Sequence, residues 1–432
     1  MSTSTRPPAS PNVLRSEPLF ARWVVAEGVS MVGSSISMVV LPVLVYDLTG
    51  SAGLTGLLAA TRLIPYLVLG LIAGPIADRS SRRRLIIGGN VAEGVLAATI
   101  PIAAMADALT AAHVFVVALL SATAYVFSDA AVFGAVPALV RPERLADANG
   151  VLSVFGSSAD IAGPVLAGVL ITTIGATHGL TINAISFLAA AAVQLTIHSD
   201  FRRPINAASP ARRPTIRQQL GAAFTFIRRQ TTVLTLIAVG FGNSLAIGIV
   251  LGLLVPWSVE VLGYASDDPR LGVLYAAVGV GSLAAGLVFA RLFSAARVRV
   301  LTPAAVAWSA LCSIGLAAGV GWLATPAMAA FSFGIMVTIT TGITYRQLAT
   351  PDQLVSTVNT IGRMIAAGGQ PVGAALGALI ATVLTVTAAY TTAAGLMATT
   401  ALAAHLALRR RDTSLPEHLR PSHEGDPAGE PV

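Results

Sequence analysis

Twelve stretches of this chain are each about 20 residues or longer and nearly free of charge, long enough to cross roughly 30 Å of hydrocarbon as helices. They fall near 20–46, 53–77, 85–105, 113–138, 148–173, 177–197, 232–259, 270–290, 300–322, 325–346, 354–384 and 387–408. A bilayer offers no water to a bare peptide group, so a segment inside it closes its own hydrogen bonds as an α-helix. The fold class predicted is an all-α membrane protein of twelve transmembrane helices. Charge content agrees: 11% of the 432 residues are charged, against roughly 25% in a soluble protein. A surface so poor in charge suits lipid better than water.

The joints between these stretches alternate in character. Arg15 and Arg22 precede or open the first; Arg79, Arg82, Arg83 and Arg84 fill the second joint, and Arg141 and Arg144 the fourth. Arginines recur between Arg202 and Arg229, at Arg291, Arg297 and Arg299, and from Arg409 to Arg411. The odd joints hold little beyond Asp47, Asp107, His178, Asp267, Asp268 and Arg270. By the positive-inside rule the even joints face the cytoplasm. Both termini are then cytoplasmic, as an even number of spans requires, in a bacterial inner or cytoplasmic membrane. The net charge of +7 is explained as topology, and no nucleic-acid partner is needed.

Residues 198–231 form the one long polar interruption, with Pro204, Pro210 and Pro214, and part six spans from six. The predicted organisation is a disordered N-terminus (1–18), a six-helix bundle (19–197), a linker (198–231), a second bundle (232–408) and a disordered tail (409–432). The halves echo each other. Pro42, Leu48 and the run from Leu54 match Pro256, Leu262 and the run from Leu271. Pro142-Glu-Arg-Leu145 matches Pro351-Asp-Gln-Leu354, each leading into a helix with a proline, Pro164 or Pro371. Parallel six-span repeats build many secondary transporters, with the cargo held between the halves near mid-depth.

Several chemistries are excluded. All 27 basic residues are arginine, so there is neither a Walker A lysine nor a Schiff-base lysine. Any energy source is an ion gradient or a separate subunit. The single cysteine, Cys312, forms no internal disulfide. His113, His178 and His405 sit at span ends, and no metal-ligand or nucleophile–base spacing is seen. The expectation is no enzyme, no cofactor and no metal. No short apolar leader with a cleavage site precedes the first span, so that span is expected to stay.

Between spans two and three the chain reads Gly74-Pro-Ile-Ala-Asp78-Arg79-Ser-Ser-Arg82-Arg83-Arg84. This resembles the signature loop of the major facilitator superfamily, G-x-x-x-D-R-x-G-x-R-R, with Ser81 in place of the inner glycine. The resemblance implies two pseudo-symmetric six-helix bundles and a cytoplasmic gate lock. Asp78 would face the start of span eleven near Val355, and Arg82 would pair with Asp129 at the inner end of span four. The matching loop of the second half, Gly286-Leu-Val-Phe-Ala-Arg291, lacks the acid. In span five, Gly163-Pro164 and Gly168 are similar to a Gly-Pro motif of drug/proton antiporters, which implies a hinge; Ala159, Gly163 and Ala167 at four-residue spacing also suit close packing. Span eleven carries a like seam, Gly369, Gly373 and Gly377. Leu48-Thr-Gly-Ser51, Arg62-Leu-Ile-Pro65 and Asn183-Ala-Ile-Ser-Phe187 resemble the branch of siderophore and macrolide exporters.

Ionisable groups inside a bilayer cost about 2.5 kcal/mol or more and require a reason. Glu27, Arg62, Glu93, Asp129 and Asp160 are the candidates. Asp160 and Arg62 both fall near mid-depth at 1.5 Å per residue. Arg62 is expected to pair with Asp160 or Glu27, either of which would carry the proton; a static pair tying helices together is the plainer alternative. Glu93, read as about two turns inside, is expected to reach water. The function expected is a monomeric, proton-coupled exporter of a hydrophobic or amphipathic small molecule working by alternating access. Uptake of a metabolite is the alternative within transport, and a membrane-embedded enzyme or scaffold the distant one.

Overall fold

The computed structural model describes residues 13–141, 144–197, 216–294 and 297–409. Every regular element among them is helical. The first half holds α1 (Val13–Ser16), α2 (Pro18–Thr49), α3 (Ala52–Arg79), α4 (Arg82–Met105), α5 (Ala111–Leu139), α6 (Leu145–Ile174) and α7 (Ala176–Leu195). Helix α8 (Ile216–Arg229) follows. The second half holds α9 (Thr231–Gly252), α10 (Leu254–Glu260), α11 (Arg270–Leu292), α12 (Val298–Ala317), α13 (Gly321–Ala349), α14 (Asp352–Ala367), α15 (Gly369–Val383) and α16 (Val386–Leu408). Twelve helical stretches are long and apolar enough to span a membrane, as the sequence predicts. Of the segments expected to be irregular, 1–12, 198–215 and 410–432 lie outside the described residues, whereas α1 and α8 are helices.

Helix ends are set by local chemistry. Ser51, Thr110 and Thr385 each accept a hydrogen bond from the backbone N–H three residues on, capping α3, α5 and α16 at the arginine-poor joints. Ser81 caps α4 in the same way at the arginine-rich second joint. The repeated prolines act differently in the two halves. α2 and α6 run unbroken through Pro42 and Pro164. In the second half the helix stops at Gly252, four residues before Pro256, and again at Ala367, four residues before Pro371. A proline cannot donate to the carbonyl four residues back and its ring crowds it; in spans seven and eleven the helix is interrupted at that carbonyl, whereas α2 and α6 absorb the loss within one helix.

Within the second bundle α15 lies against α9 along the glycine seam. A Cβ on Gly373 would stand 2.7 Å from the carbonyl carbon of Leu245, and one on Gly377 3.2 Å from Ile249 Cα. Backbones this close require glycine. The seam of span eleven is therefore packing.

The apolar cores reveal how the bundles meet. One buried cluster runs through both bundles toward the arginine-poor end, from Val39 and Leu44 of α2 to Trp257 of α10 and Tyr390 of α16. Those two rings stack with centroids 5.1 Å apart, and Tyr390 Oη donates to Val250 O at 2.9 Å. Toward the arginine-rich end each bundle has its own cluster: Phe20, Trp23, Ile86, Val136 and Ile197 in the first, Ile227, Val233, Val298, Val358 and Leu408 in the second. The bundles share a core at one end and are separate at the other.

Candidate functional site

A cavity of about 400 Å³ lies between the bundles at mid-depth, within the usual range for drug-sized ligands. The first bundle supplies most of its wall, through α2 to α7; α9, α11 and α15 complete it. Leu41, Leu63, Ile100, Val117 and Leu251 make much of the surface apolar. The polar groups in the wall are few: Arg62, Glu93, Tyr125, Asp160, Asn183, Tyr275, Gln370 and several serines.

On the arginine-poor side the cavity is sealed by backbone contact between bundles. α6 crosses α11 where both have glycine: a Cβ on Gly168 would lie 2.9 Å from Pro269 O, and one on Gly272 3.0 Å from Gly168 Cα. α3 meets α15 in the same manner, a Cβ on Gly56 falling 3.2 Å from Ala378 Cα. Polar bonds reinforce the seal. Tyr46 Oη donates to Glu260 Oε1 at 3.2 Å, and Thr172 Oγ1 to Asp267 O at 3.2 Å. Beside them Arg270 binds both Asp268 oxygens and lies 4.0 Å over the Tyr264 ring. The hydrogen bond from Arg270 holds the Asp268 carboxyl below its ordinary range.

The charged groups are arranged differently from the pairs expected. Arg62 lies within electrostatic reach of Glu93 and of the Tyr275 hydroxyl, which is buried and has no hydrogen-bond partner among the described residues. Its acidic neighbour is thus Glu93, neither Asp160 nor Glu27. Glu93 is only 8% exposed and lines the cavity, so it does not simply reach bulk water. The sequence held the signal: counted from Arg82, where α4 begins, Glu93 is about 16 Å into the helix. Asp160 faces the cavity, is exposed there, and among the described residues has no ion-pair partner.

Glu27 is held within the first bundle by a relay of amides. Ser30 Oγ donates to Asn90 Oδ1 at 2.8 Å, Asn90 Nδ2 to Gln194 Oε1 at 3.0 Å, and Gln194 Nε2 to Glu27 Oε2 at 3.3 Å. Glu27 is also in electrostatic reach of Asp129 and Glu93. Asp129 in turn lies in electrostatic reach of Arg363 of α14, in the second bundle. Charged neighbours therefore run from Arg363 through Asp129, Glu27 and Glu93 to Arg62 in the cavity wall.

The signature loop closes the turn between α3 and α4. Gly74, Asp78 and Arg79 belong to the last turns of α3, and their side chains lie outside the described residues. Arg82 opens α4. Arg83 reaches the end of α7, its Nε donating to Ile197 O at 2.9 Å and its Nη2 to Leu195 O at 2.7 Å. Cations suit the exposed carbonyls and negative dipole of a helix C-terminus. In α6, Gly163 packs on α2, where its Cβ would come within 3.4 Å of Ser35 Cα, while Gly168 serves the inter-bundle seal; Pro164 lies between them. No group of three or more His, Cys, Asp or Glu poised for a metal is found among the described residues.

Comparison with known proteins agrees with this architecture. The profile of the Major Facilitator Superfamily matches residues 24–371. The multidrug efflux pump Tap of Mycobacterium tuberculosis (strain ATCC 25618 / H37Rv) is 33% identical over 174 residues, 38% of this chain and 41% of that protein. The chain thus spans about two fifths of that relative's length. The enterobactin exporter EntS of Citrobacter koseri is 23% identical over 367 residues, covering 84% of this chain and 86% of that one. Among solved structures, a bacterial homologue of the human lysosomal transporter Spinster, inward-facing and occupied, superposes with a TM-score of 0.69 at 12% identity, covering 93% and 96% of the two chains. The nucleoside transporter NupG gives 0.73 at 13% identity, over 91% of this chain and 100% of its own. Identities this low speak for the fold alone.

Proposed function

Because the chain belongs to the major facilitator superfamily, we propose that this secondary transporter exports a hydrophobic or amphipathic small molecule in exchange for protons. The observation that carries the reading is the mid-depth cavity: mostly apolar walls, with Glu93, Asp160 and Arg62 among the few charges reaching it. An apolar cargo loses little there, while an ionised side chain is costly unless it has work to do. The similarity to Tap and EntS, named as exporters of drugs and of enterobactin, supports outward transport.

The arginine-rich end is assigned to the cytoplasm by the positive-inside rule. The conformation is then inward-facing, with the outer half sealed by Gly168 against Gly272 and by Gly56 against α15. This is the state in which a cargo bound for export loads. Residues 19–197 and 232–408 act as the two rocking bodies in a monomer. Asp160, open to the cavity and without an ion-pair partner among the described residues, is the carboxylate for which proton and cargo compete; Glu27, Glu93 and Arg62 hold the surrounding charge. Return to the outward-facing state brings the inner ends together. Asp78, Arg79, Arg82 and Arg83 with Gly74 form the gate there, Arg83 anchoring it to α7. Attraction between Asp129 and Arg363, already in electrostatic reach of each other, draws the bundles shut. Gly163, Pro164 and Gly168 give α6 the small bend this needs.

The test is accumulation of macrolides, dyes and catechol siderophores in efflux-deficient cells expressing the chain, with and without a proton ionophore. Lower accumulation that disappears with ionophore supports proton-driven export. Higher accumulation in expressing cells means uptake and overturns the proposal.

A further inference from the structure

Among the described residues, exposed arginines without an ion pair stand at both arginine-rich bundle ends: Arg15, Arg22 and Arg84 in the first, and a group gathered around one apolar cluster in the second. In the first bundle, Arg141 pairs with Glu17 at 2.8 Å and Arg144 with Asp147 at 3.4 Å, while Arg83 is spent on two carbonyls of the α7 terminus. In the second bundle, Arg228, Arg229, Arg297, Arg299 and Arg409 are all exposed, and among the described residues none makes an ion pair. These five surround one apolar cluster, because Ile227, Val298 and Leu408 are each its members and each adjoins one of them in sequence.

Helix α8 is the floor of that cluster. Leu220, Ala223 and Ile227, spaced for one helical face, pack with Val233, Leu236, Tyr345 and Ile361. The helix therefore lies across the ends of the spans, with one flank turned outward at the level where a bilayer surface would be. On that flank Phe224 is 49% exposed, one turn from Arg228. An aromatic ring beside unpaired arginines, on an amphipathic helix at the depth of lipid headgroups, is the composition of an interfacial anchor.

We propose that α8 with the adjoining start of α12 seats anionic phospholipid headgroups: Arg228, Arg229, Arg297 and Arg299 bind the phosphates and Phe224 enters the acyl boundary. Charge complementarity selects the occupant, since among the described side chains none forms an ion pair with these arginines. α8 also packs on α14, the half of span eleven that carries Arg363. Lipid held here thus bears on the element whose Arg363 is in electrostatic reach of Asp129. The inference rests on the reading of the chain as membrane-spanning and is independent of the direction of transport.

The test uses the full chain, purified in detergent and mixed with equal amounts of phosphatidylglycerol and phosphatidylcholine, with retained lipids counted by native mass spectrometry. Wild type retains phosphatidylglycerol in preference. Each arginine near an anionic surface contributes about fivefold, so R228Q/R229Q lowers the preference roughly 25-fold, whereas R228K/R229K keeps most of it. Phe224→Ser weakens retention of both lipids and leaves the preference between them. An unchanged preference in R228Q/R229Q overturns the proposal. Displacement of phosphatidylglycerol by millimolar inorganic phosphate overturns it too, because the site then serves a soluble anion. Should R228Q/R229Q fail to fold, R297Q/R299Q carries the same comparison on α12. Cargo takes no part in the measurement, so its failure and a failure of the export proposal are told apart.

Discussion

Replacing Gly272 by alanine tests the seal at the arginine-poor end, where the geometry is most demanding. The new Cβ would stand 3.0 Å from Gly168 Cα and closer still to the Pro164 carbonyl oxygen. Both are backbone atoms of the opposite bundle, so no side-chain rotation relieves the clash. Carbon atoms rest in contact at roughly 3.5–4 Å, which requires α6 and α11 to part by about half an ångström or more. Overpacking of this kind costs about 1–3 kcal/mol. Only the sealed state suffers it, because the outward-open state separates these helices. At about 1.4 kcal/mol per decade the equilibrium moves roughly 5- to 150-fold toward outward-open. The assay is a spin-label distance between Met105→Cys and Trp322→Cys, exposed positions in the two bundles, on a Cys312→Ser background. The prediction is a longer distance, or a second longer population, in Gly272→Ala. Identical distributions with and without the alanine would refute the claim that this glycine crossing seals the cavity.

Other expectations follow from the charged groups. Asp160→Asn abolishes proton-linked transport while ligand binding in detergent changes less than tenfold, read by fluorescence titration; full transport in the variant would remove Asp160 from the coupling step. Arg62→Gln removes the cation in electrostatic reach of the buried Glu93 and lowers the thermal midpoint, whereas Arg62→Gln with Glu93→Gln recovers most of that loss. Equal losses in the single and double variants would show that the two do not compensate each other. Asp268 has its carboxyl lowered below the ordinary 3.8 by Arg270, so its contribution is present above that pH and is lost as pH falls through the lowered value. The thermal midpoint of wild type minus that of Asp268→Asn is therefore constant from pH 7 to about 5 and shrinks below about pH 4.

The spans and their number were legible because a bilayer imposes length and apolarity on each segment independently of its neighbours. The signature loop was legible as a motif, but the work of Arg83 was not: its acceptors are carbonyls more than a hundred residues away. Glu93 was misplaced by a span start set at residue 85, three residues past the true start of α4 at Arg82, enough to move a mid-depth acid toward water. Helix α8 hid in a proline-rich stretch read as linker, although Leu220, Ala223 and Ile227 carry a helical period. The partner of Arg62 and the crossing of Gly168 with Gly272 depend on how helices far apart in sequence rotate against each other. Composition and spacing hold no record of that.

The most direct test of proton-driven export is a flux measurement on inside-out membrane vesicles containing the chain. With the vesicle lumen made acid and a cargo from the panel outside, the cargo enters the lumen as protons leave it. Both fluxes cease in Asp160→Asn. Cargo uptake that ignores the pH gradient, or cargo leaving preloaded vesicles together with protons, would contradict proton-driven export.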